Sequence, residues 1–293
     1  MFRIQPMSFV RPTILAALAA GLCFMCLYVY GGSPSAHANP AAAVPLPVID
    51  IMASDYAFDA PDTVPAGLVT IRLMNHGQEP HHAQLLRMND GVSFGEFGAA
   101  LKSEGESALR LTTLTGGPGT LDPSRSTEVT LNLTPGQYAL ACFVSGEDGV
   151  PHLAKGMLKP LTVAAADAQP ETAAPQVAGT LNMRDFSFDI PDTLPAGSNT
   201  FTVVNAGPQP HEMNILKLAP GASLSDLQAW QPDQATPPPF EAVGGMNGMS
   251  QGETHYMTVD LQPGTYVAIC NIPDPGSGVP HSRLGMVRQF TVQ

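Results

Sequence analysis

The chain has 293 residues and a formal net charge of −12 at pH 7, from 25 acidic and 13 basic side chains. Such an acidic chain is a poor partner for nucleic acid, because phosphates attract basic surfaces. Its length suffices for two domains that each bury a core. With 29 prolines, 28 glycines and only 13% charged residues, the composition favours short strands joined by turns over long exposed helices.

The N-terminus has the pattern of a secretory signal. Two arginines precede an apolar run at 14–30, and Ser-Ala-His-Ala at 35–38 offers a small-residue cleavage site. We therefore predict a signal peptide at 1–38 and a flexible leader at 39–45, which makes the protein exported, to the periplasm or the extracellular space. An uncleaved anchor stays open because the apolar run approaches the length that spans a bilayer. Only in that case would we expect contact with a membrane.

The rest of the chain is one unit used twice. The residues at 55–67 return at 185–197, changed only between similar or small side chains. Shorter motifs recur in the same order, namely Asn75, Gly77 and Pro80-His81 as Asn205, Gly207 and Pro210-His211, Gly116-Gly117 as Gly244-Gly245, and Pro135-Gly136-x-Tyr138 as Pro263-Gly264-x-Tyr266. Recurrence over this length indicates a duplicated domain. We predict domains at 46–164 and 177–293, joined by a linker rich in proline and alanine at 165–176.

Each unit contains short apolar or alternating runs bounded by proline, glycine and asparagine. Residues 127–133 alternate between polar and apolar, which is the period of a strand with one wet face. The predicted strands lie at 46–53, 68–75, 81–87, 126–133, 137–144 and 157–164, and at 178–184, 199–206, 211–218, 254–261, 265–271 and 286–292. A turn or two of helix is predicted at 94–103 and 223–230. Strands without crossover helices favour an all-β fold of two tandem antiparallel Greek-key sandwiches.

Two cysteines remain after the predicted signal, Cys142 and Cys270. In an exported protein the first expectation is a disulfide. However, the two cysteines occupy equivalent positions in two similar units, and side chains buried in separate cores cannot approach closely enough for a bridge. Metal ligation is a better explanation for two unpaired thiols.

A histidine precedes each cysteine, and a histidine and a methionine follow it. The two sets are His81, Cys142, His152 and Met157 in the first unit and His211, Cys270, His281 and Met286 in the second. Two imidazoles, a thiolate and a weak axial thioether are the donors of a type 1, or blue, copper site. Each cysteine ends a strand and each methionine begins the next, so the intervening loop brings three donors to one end of the sandwich. The sequence therefore predicts one mononuclear copper site per domain.

The choice between the adjacent histidines His81 and His82 depends on the repeat alone. Glu212 stands at the second of these positions in the other unit. We therefore predict His81 as the ligand and His82 as a neighbour of the site.

These motifs resemble those of the cupredoxins, the family of plastocyanin and azurin, over nearly all of 46–293. The Asn-x-Gly-x-x-Pro-His run resembles the segment that carries the first copper histidine, and Pro-Gly-x-Tyr-x-x-x-Cys resembles the thiolate segment. The second histidine and the methionine are five positions apart in both units, as in the family. Nine residues separate Cys142 from His152. This loop is longer than in plastocyanin and nearer to that of copper nitrite reductases.

The resemblance also implies a role for Asn75 and Asn205. In the family the equivalent asparagine ties the loop bearing the first histidine to the strand bearing the cysteine, which fixes the ligand geometry. The alternative is an asparagine that only forms a turn.

The resemblance implies an electron-transfer protein that passes single electrons between redox partners, with the partner protein unidentified. Electrons are expected to cross at exposed edges of His152 and His281, beside small apolar docking patches at 150–151 and 279–280. A copper-binding or copper-buffering protein without a redox partner stays open as the alternative, and so does a metal-free module.

Two-domain copper enzymes, the nitrite reductases and small laccases, share this domain organisation. They carry additional histidines, commonly beside the type 1 cysteine and the first histidine. Here no His-Cys-His or His-x-His motif occurs, so we predict a carrier and no enzyme. A copper oxidoreductase would need His82 or His255 to complete a second site at a subunit interface.

Overall fold

The structure, a computed structural model, describes residues 45–165, 172–231 and 236–293. The predicted signal peptide, the leader up to residue 44 and the middle of the predicted linker lie outside the described residues. Within the three described ranges, no helix is both long and apolar enough to cross a membrane.

The first half of the chain forms two sheets packed face to face, with one α-helix on the outside. Its elements are β1 (Val48–Ser54), β2 (Ala57–Asp59), β3 (Thr63–Pro65), β4 (Gly67–Asn75), β5 (Gln84–Met88), α1 (Phe94–Glu104), β6 (Thr112–Leu114), β7 (Ser126–Leu133), β8 (Gly136–Ala141) and β9 (Leu158–Ala164). One sheet has the order β2-β1-β4-β7 and the other the order β3-β9-β8-β5-β6. Consecutive strands such as β7 and β8 lie in different sheets, so the chain repeatedly crosses the sandwich.

The second half repeats this architecture. Its elements are β10 (Gly179–Arg184), β11 (Ser187–Asp189), β12 (Thr193–Leu194), β13 (Gly197–Asn205), β14 (His211–Leu218), α2 (Leu224–Ala229), β15 (Phe240–Met249), β16 (Thr254–Leu261), β17 (Gly264–Ile269) and β18 (Val287–Val292). One sheet has the order β11-β10-β13-β16 and the other the order β12-β18-β17-β14-β15. The predicted fold class of two tandem, all-β Greek-key sandwiches is therefore confirmed.

The pairing within each sandwich is mixed, whereas we predicted antiparallel sheets. Strand β1 runs parallel to β4, and β3 runs parallel to β9. After β1 and β2 the chain crosses to β3 in the opposite sheet and returns as β4, and this crossover brings β4 back in the direction of β1. The second half pairs β10 with β13 and β12 with β18 in the same way.

One sheet continues from the first half into the second. Strand β7 pairs antiparallel with β16, for example at Thr130 and Tyr256, which produces a single eight-stranded sheet. A second contact joins 115–122 to β15 through several cross-half backbone hydrogen bonds, including Gly116 N–H to the Gly248 carbonyl and Gly119 N–H to that of Gly245, at 2.9 and 3.0 Å. The two halves thus share backbone pairing as well as packed side chains.

Helices α1 and α2 cover the outer faces of the two five-stranded sheets. Phe97 of α1 is fully buried with Leu86 and Ala139, and Leu227 of α2 packs with Leu216. This cover leaves the ends of the sandwiches, where the loops meet, as the places where polar side chains gather.

Candidate metal centres

Three segments bring donor atoms together at one end of the first sandwich. His81 follows the loop at 76–80, and its backbone pairs with Leu121 through hydrogen bonds of 3.0 and 2.9 Å. Cys142 directly follows β8, and His152 begins a short 3₁₀ turn, His152–Lys155. Met157 closes the loop, because its carbonyl accepts a hydrogen bond from the Cys142 N–H at 3.1 Å.

Two imidazole nitrogens and one sulfur converge in this loop cluster. His81 Nδ1 lies 3.0 Å from His152 Nδ1, and Cys142 Sγ lies 4.0 and 3.6 Å from these two nitrogens. All three side chains are fully buried. The spacing fits three donors around a single metal ion.

The outer nitrogens of both imidazoles contact carboxylates. His81 Nε2 lies 2.7 Å from Asp55 Oδ1, and His152 Nε2 lies 2.8 Å from Glu79 Oε2. Since an ionised carboxylate only accepts, each Nε2 carries the proton and each Nδ1 presents its lone pair to the centre. Two lone pairs facing each other at 3.0 Å repel unless an electrophile lies between them. The residues present therefore fit a bound cation.

The pKa shifts of these groups follow from their burial. Burial lowers the pKa of His81, against the opposing effect of the hydrogen bond that its ring donates to Asp55, so a neutral ring is favoured. Burial also raises the pKa of the Cys142 thiol to about 12. Such a thiol keeps its proton unless a metal ion displaces it, and coordination deprotonates a thiol outright.

The second half repeats the cluster, with a different hydrogen-bond acceptor at its second histidine. His211 Nδ1 lies 3.1 Å from His281 Nδ1, and Cys270 Sγ lies 3.4 Å from the latter. Asp185 accepts from His211 Nε2, but the partner of His281 Nε2 is an amide oxygen, Gln209 Oε1, at 2.9 Å. The two cysteines are unpaired thiols, in agreement with the rejected disulfide.

His82 does not join the cluster. Its backbone N–H points to Cys142 Sγ at 3.5 Å, and its side-chain Nε2 accepts from the Phe143 N–H at 2.8 Å. Glu212 makes the same two contacts in the second half, to Cys270 Sγ and to the Asn271 N–H. The side chain at this position therefore holds the end of the strand that carries the cysteine. Histidine in one half and glutamate in the other can both do this, because each accepts a backbone N–H.

The two predicted axial methionines are buried next to the clusters. Met157 and Met286 are both fully buried, and their backbone N–H groups donate to the carbonyls of His152 and His281 at 3.0 and 2.9 Å. Ligation by their sulfur atoms stays a prediction.

Asn75 has a different partner from the one implied by the resemblance. Its side-chain amide donates to the carbonyls of Glu79 and Leu121 at 2.8 and 2.9 Å, and its oxygen accepts from the Gly77 N–H. Asn205 likewise donates to Gln209 and Met249. Each asparagine thus ties the histidine loop to the segment that meets the other half, and not to the strand bearing the cysteine.

Sequence reasoning missed the groups that hold the imidazoles from outside. Asp55 and Asp185 belong to the recurring segment at 55–67, so their recurrence was a usable signal. Gly77 recurs because the contact between Asp55 and His81 leaves no room for a side chain there. A Cβ at Gly77 would overlap the Asp55 carboxylate and lie 2.6 Å from His81 Nε2. Glu79 carried no such signal because glutamine replaces it in the other half.

The expectation of exposed histidine edges is wrong. His152 and His281 are completely buried. Glu79 and Gln209 cover their outer nitrogens, and the rings of Tyr56 and Phe186 pack against them with centroids 4.9 Å away in both cases. Part of the predicted patch is present, since Val150 is 40% exposed. Each imidazole therefore lies one side-chain layer beneath the surface.

No protein-family model and no curated protein matches the chain. Among solved structures, an auracyanin from Roseiflexus castenholzii is 23% identical and covers 40% of this chain and 96% of its own, with a TM-score of 0.30. A multicopper oxidase is 16% identical over 86% and 92% of the two chains, with a TM-score of 0.28. A copper-containing nitrite reductase from Thermus scotoductus is 12% identical over 84% and 61%, with a TM-score of 0.23.

Proposed function

We propose that the chain is an exported electron-transfer protein that holds one type 1 copper ion in each half. The observation that carries this proposal is the convergence of two imidazole lone pairs and a thiol sulfur in a fully buried cluster, once in each half. A trigonal set of two histidines and a cysteine is the donor set of blue copper sites, and soft thiolate selects copper over harder ions. When bound, copper supplies a one-electron couple.

The surrounding residues support electron transfer more than chemistry on a bound substrate. The donor side chains have no exposed surface, and the Cys142–Met157 backbone bond and the carboxylates on the imidazoles fix their positions. Such outer hydrogen bonds orient metal ligands and limit their movement. Electrons enter past Glu79, whose side chain is 25% exposed and contacts His152 directly. The partner is a redox protein, which docks against the surface that Glu79 forms over His152.

Copper titration of the purified chain tests the proposal. We expect two copper ions per chain, intense visible absorption from the thiolate, and the spin resonance signal of type 1 copper. Cys142→Ser should remove one coloured site and keep the other, and Cys270→Ser should do the converse. Loss of both sites in either variant would contradict independent centres, and a colourless loaded protein would refute the proposal.

A second measurement separates a carrier from a copper buffer. Stopped-flow mixing of the loaded, reduced chain with an oxidised cytochrome should give rapid exchange of electrons for a carrier. A protein that binds copper but exchanges electrons no faster than free copper would be a buffer.

A further inference from the structure

The two clusters differ at three neighbouring positions around the second histidine. Tyr56, Glu79 and Lys155 surround His152, whereas the repeat places Phe186, Gln209 and Leu284 at the same positions around His281. All three replacements remove a charge or a hydroxyl from the second half. The first histidine shows no such difference, because Asp55 and Asp185 hold it identically.

The three residues of the first half form one connected group. Tyr56 donates its hydroxyl proton to Glu79 Oε1 at 2.6 Å, and the other oxygen of that carboxylate contacts His152 Nε2 at 2.8 Å. Lys155 Nζ lies 3.3 Å from the Tyr56 hydroxyl, 4.5 Å from the centre of its ring, and 2.8 Å from Asp148. Both oxygens of the Glu79 carboxylate are therefore engaged, one by the Tyr56 hydroxyl and the other by the imidazole of His152.

The second half presents a neutral acceptor to its imidazole. The amide nitrogen of Gln209 donates to Asp274 Oδ1 at 2.9 Å, which turns the amide oxygen toward His281 Nε2. The carboxylate of Asp274 is therefore one side chain further from the imidazole than that of Glu79 is from His152. Phe186, in place of Tyr56, adds no polar atom.

We infer that Glu79 and Gln209 set the two metal sites at different reduction potentials and so give the chain an internal direction of electron flow, from the His152 site to the His281 site. This inference rests on the proposed function. A carboxylate that accepts the outer proton of a ligating imidazole raises the basicity of that ligand. A more basic ligand favours the more highly charged metal ion, and the effect is large at contact distance in a buried site. Glu79 therefore lowers the potential of its site relative to the site held by Gln209.

The electron balance of this step is simple. One electron leaves the reduced metal beside His152 and reduces the oxidised metal beside His281. No proton, bond or third reactant takes part.

Reciprocal substitutions test the inference because each half carries the other's residue. In the copper-loaded full chain, a redox titration followed by absorption should give two one-electron steps, which Cys142→Ser and Cys270→Ser assign to their sites. Glu79→Gln should shift the copper(II)-to-copper(I) affinity ratio at the first site by about tenfold, which raises that potential by about 59 mV for a one-electron couple. Gln209→Glu should lower the potential of the second site by a similar amount.

Glu147→Gln is the matched control. Glu147 lies exposed on the same loop between Cys142 and His152, so its substitution removes one negative charge without touching an imidazole. We expect no change in either potential. An equal shift in this control would overturn the inference. It would also be overturned if the potentials in both Glu79→Gln and Gln209→Glu were unchanged or shifted in the opposite direction. A chain that binds no coloured copper refutes the proposed function itself, whereas two coloured sites with unaltered potentials refute only the inference.

Discussion

His82 and Glu212 occupy one structural position and use different chemistry for the same hydrogen bond. Each accepts the backbone N–H of the residue after the cysteine at 2.8 Å, and each is buried. Burial lowers the pKa of His82 to about 3 and raises that of Glu212 to about 7. The fold therefore favours the neutral form of both side chains, and the two halves respond to pH in opposite directions.

Replacement of Glu212 should change the pH dependence of stability. The ordinary pKa of this carboxyl is 4.5, and its folded value is about 7. The native state thus holds the proton of Glu212 more tightly than the unfolded state does. The resulting contribution to the free energy of unfolding is fully present below about pH 4.5 and is lost as the pH rises through 7. The difference corresponds to about 3 kcal/mol. Glutamine keeps the acceptor oxygen and cannot ionise, so Glu212→Gln should abolish this loss.

Guanidinium unfolding of the metal-free chain between pH 4.5 and 8 measures this effect. We expect the free energy of unfolding to fall more steeply with pH in the unmodified protein than in Glu212→Gln. If the curves of unfolding free energy against pH are parallel for the two proteins, then ionisation of Glu212 does not destabilise the folded state.

Among the elements, each recurring Gly-Gly pair marks a place where two backbone segments of the same half pass close together. Gly117 and Gly245 have φ values of +136° and +137°, a region that favours glycine. A Cβ at either position would overlap a carbonyl oxygen, that of Ala83 or of Met213. Glycine is required here because two backbones pass each other within hydrogen-bonding distance.

Gly245→Ala should therefore destabilise the chain by about 3 kcal/mol, from the unfavourable φ and the backbone overlap together. The measurement is the midpoint of denaturant unfolding. Gly98→Ala is the control, because Gly98 lies within α1 with open space around its Cβ position, and it should stabilise the chain by about 1 kcal/mol. If Gly245→Ala lowers the free energy of unfolding by no more than a typical surface substitution does, this would contradict the close approach of these backbones.

The elements that carry an alternating pattern could be predicted from the sequence. The six strands predicted in each half are present to within three residues, and both helices lie where expected. The ten-residue strand β15 was missed because its three glycines and the prolines before it resemble a loop, whereas Gly245 lets β15 pass close to the backbone of β14 in the same half. Short strands such as β2 and β12 were missed because two or three residues show no period.

In the candidate sites, too, some residues could be predicted from the sequence and others could not. The duplicated order of histidine, cysteine and histidine pointed to the three side chains that the structure brings together in each half, and ligation by the methionines stays a prediction. The covering residues Glu79 and Tyr56 could not be predicted, since they differ between the halves and their roles arise from contacts between distant segments. For the same reason the burial of His152 was not foreseen.

For the whole molecule, the two metal clusters are linked by backbone pairing as well as by the shared sheet. Leu121 pairs with His81 of its own half and with Val243 of the other, and Met249 pairs with His211 and with Thr115. The first histidine of each cluster is therefore held by a segment that also pairs across the halves. Pairing β7 with β16 also covers two strand edges that would otherwise be exposed.

We expect each half to hold one copper ion between two histidine Nδ1 atoms and a cysteine sulfur. Anomalous scattering at the copper edge, recorded from crystals of the copper-loaded chain, tests this most directly. We expect two peaks of similar height, one among His81, Cys142 and His152 and one among His211, Cys270 and His281. Absence of copper from both clusters, or copper bound elsewhere in the chain, would contradict it.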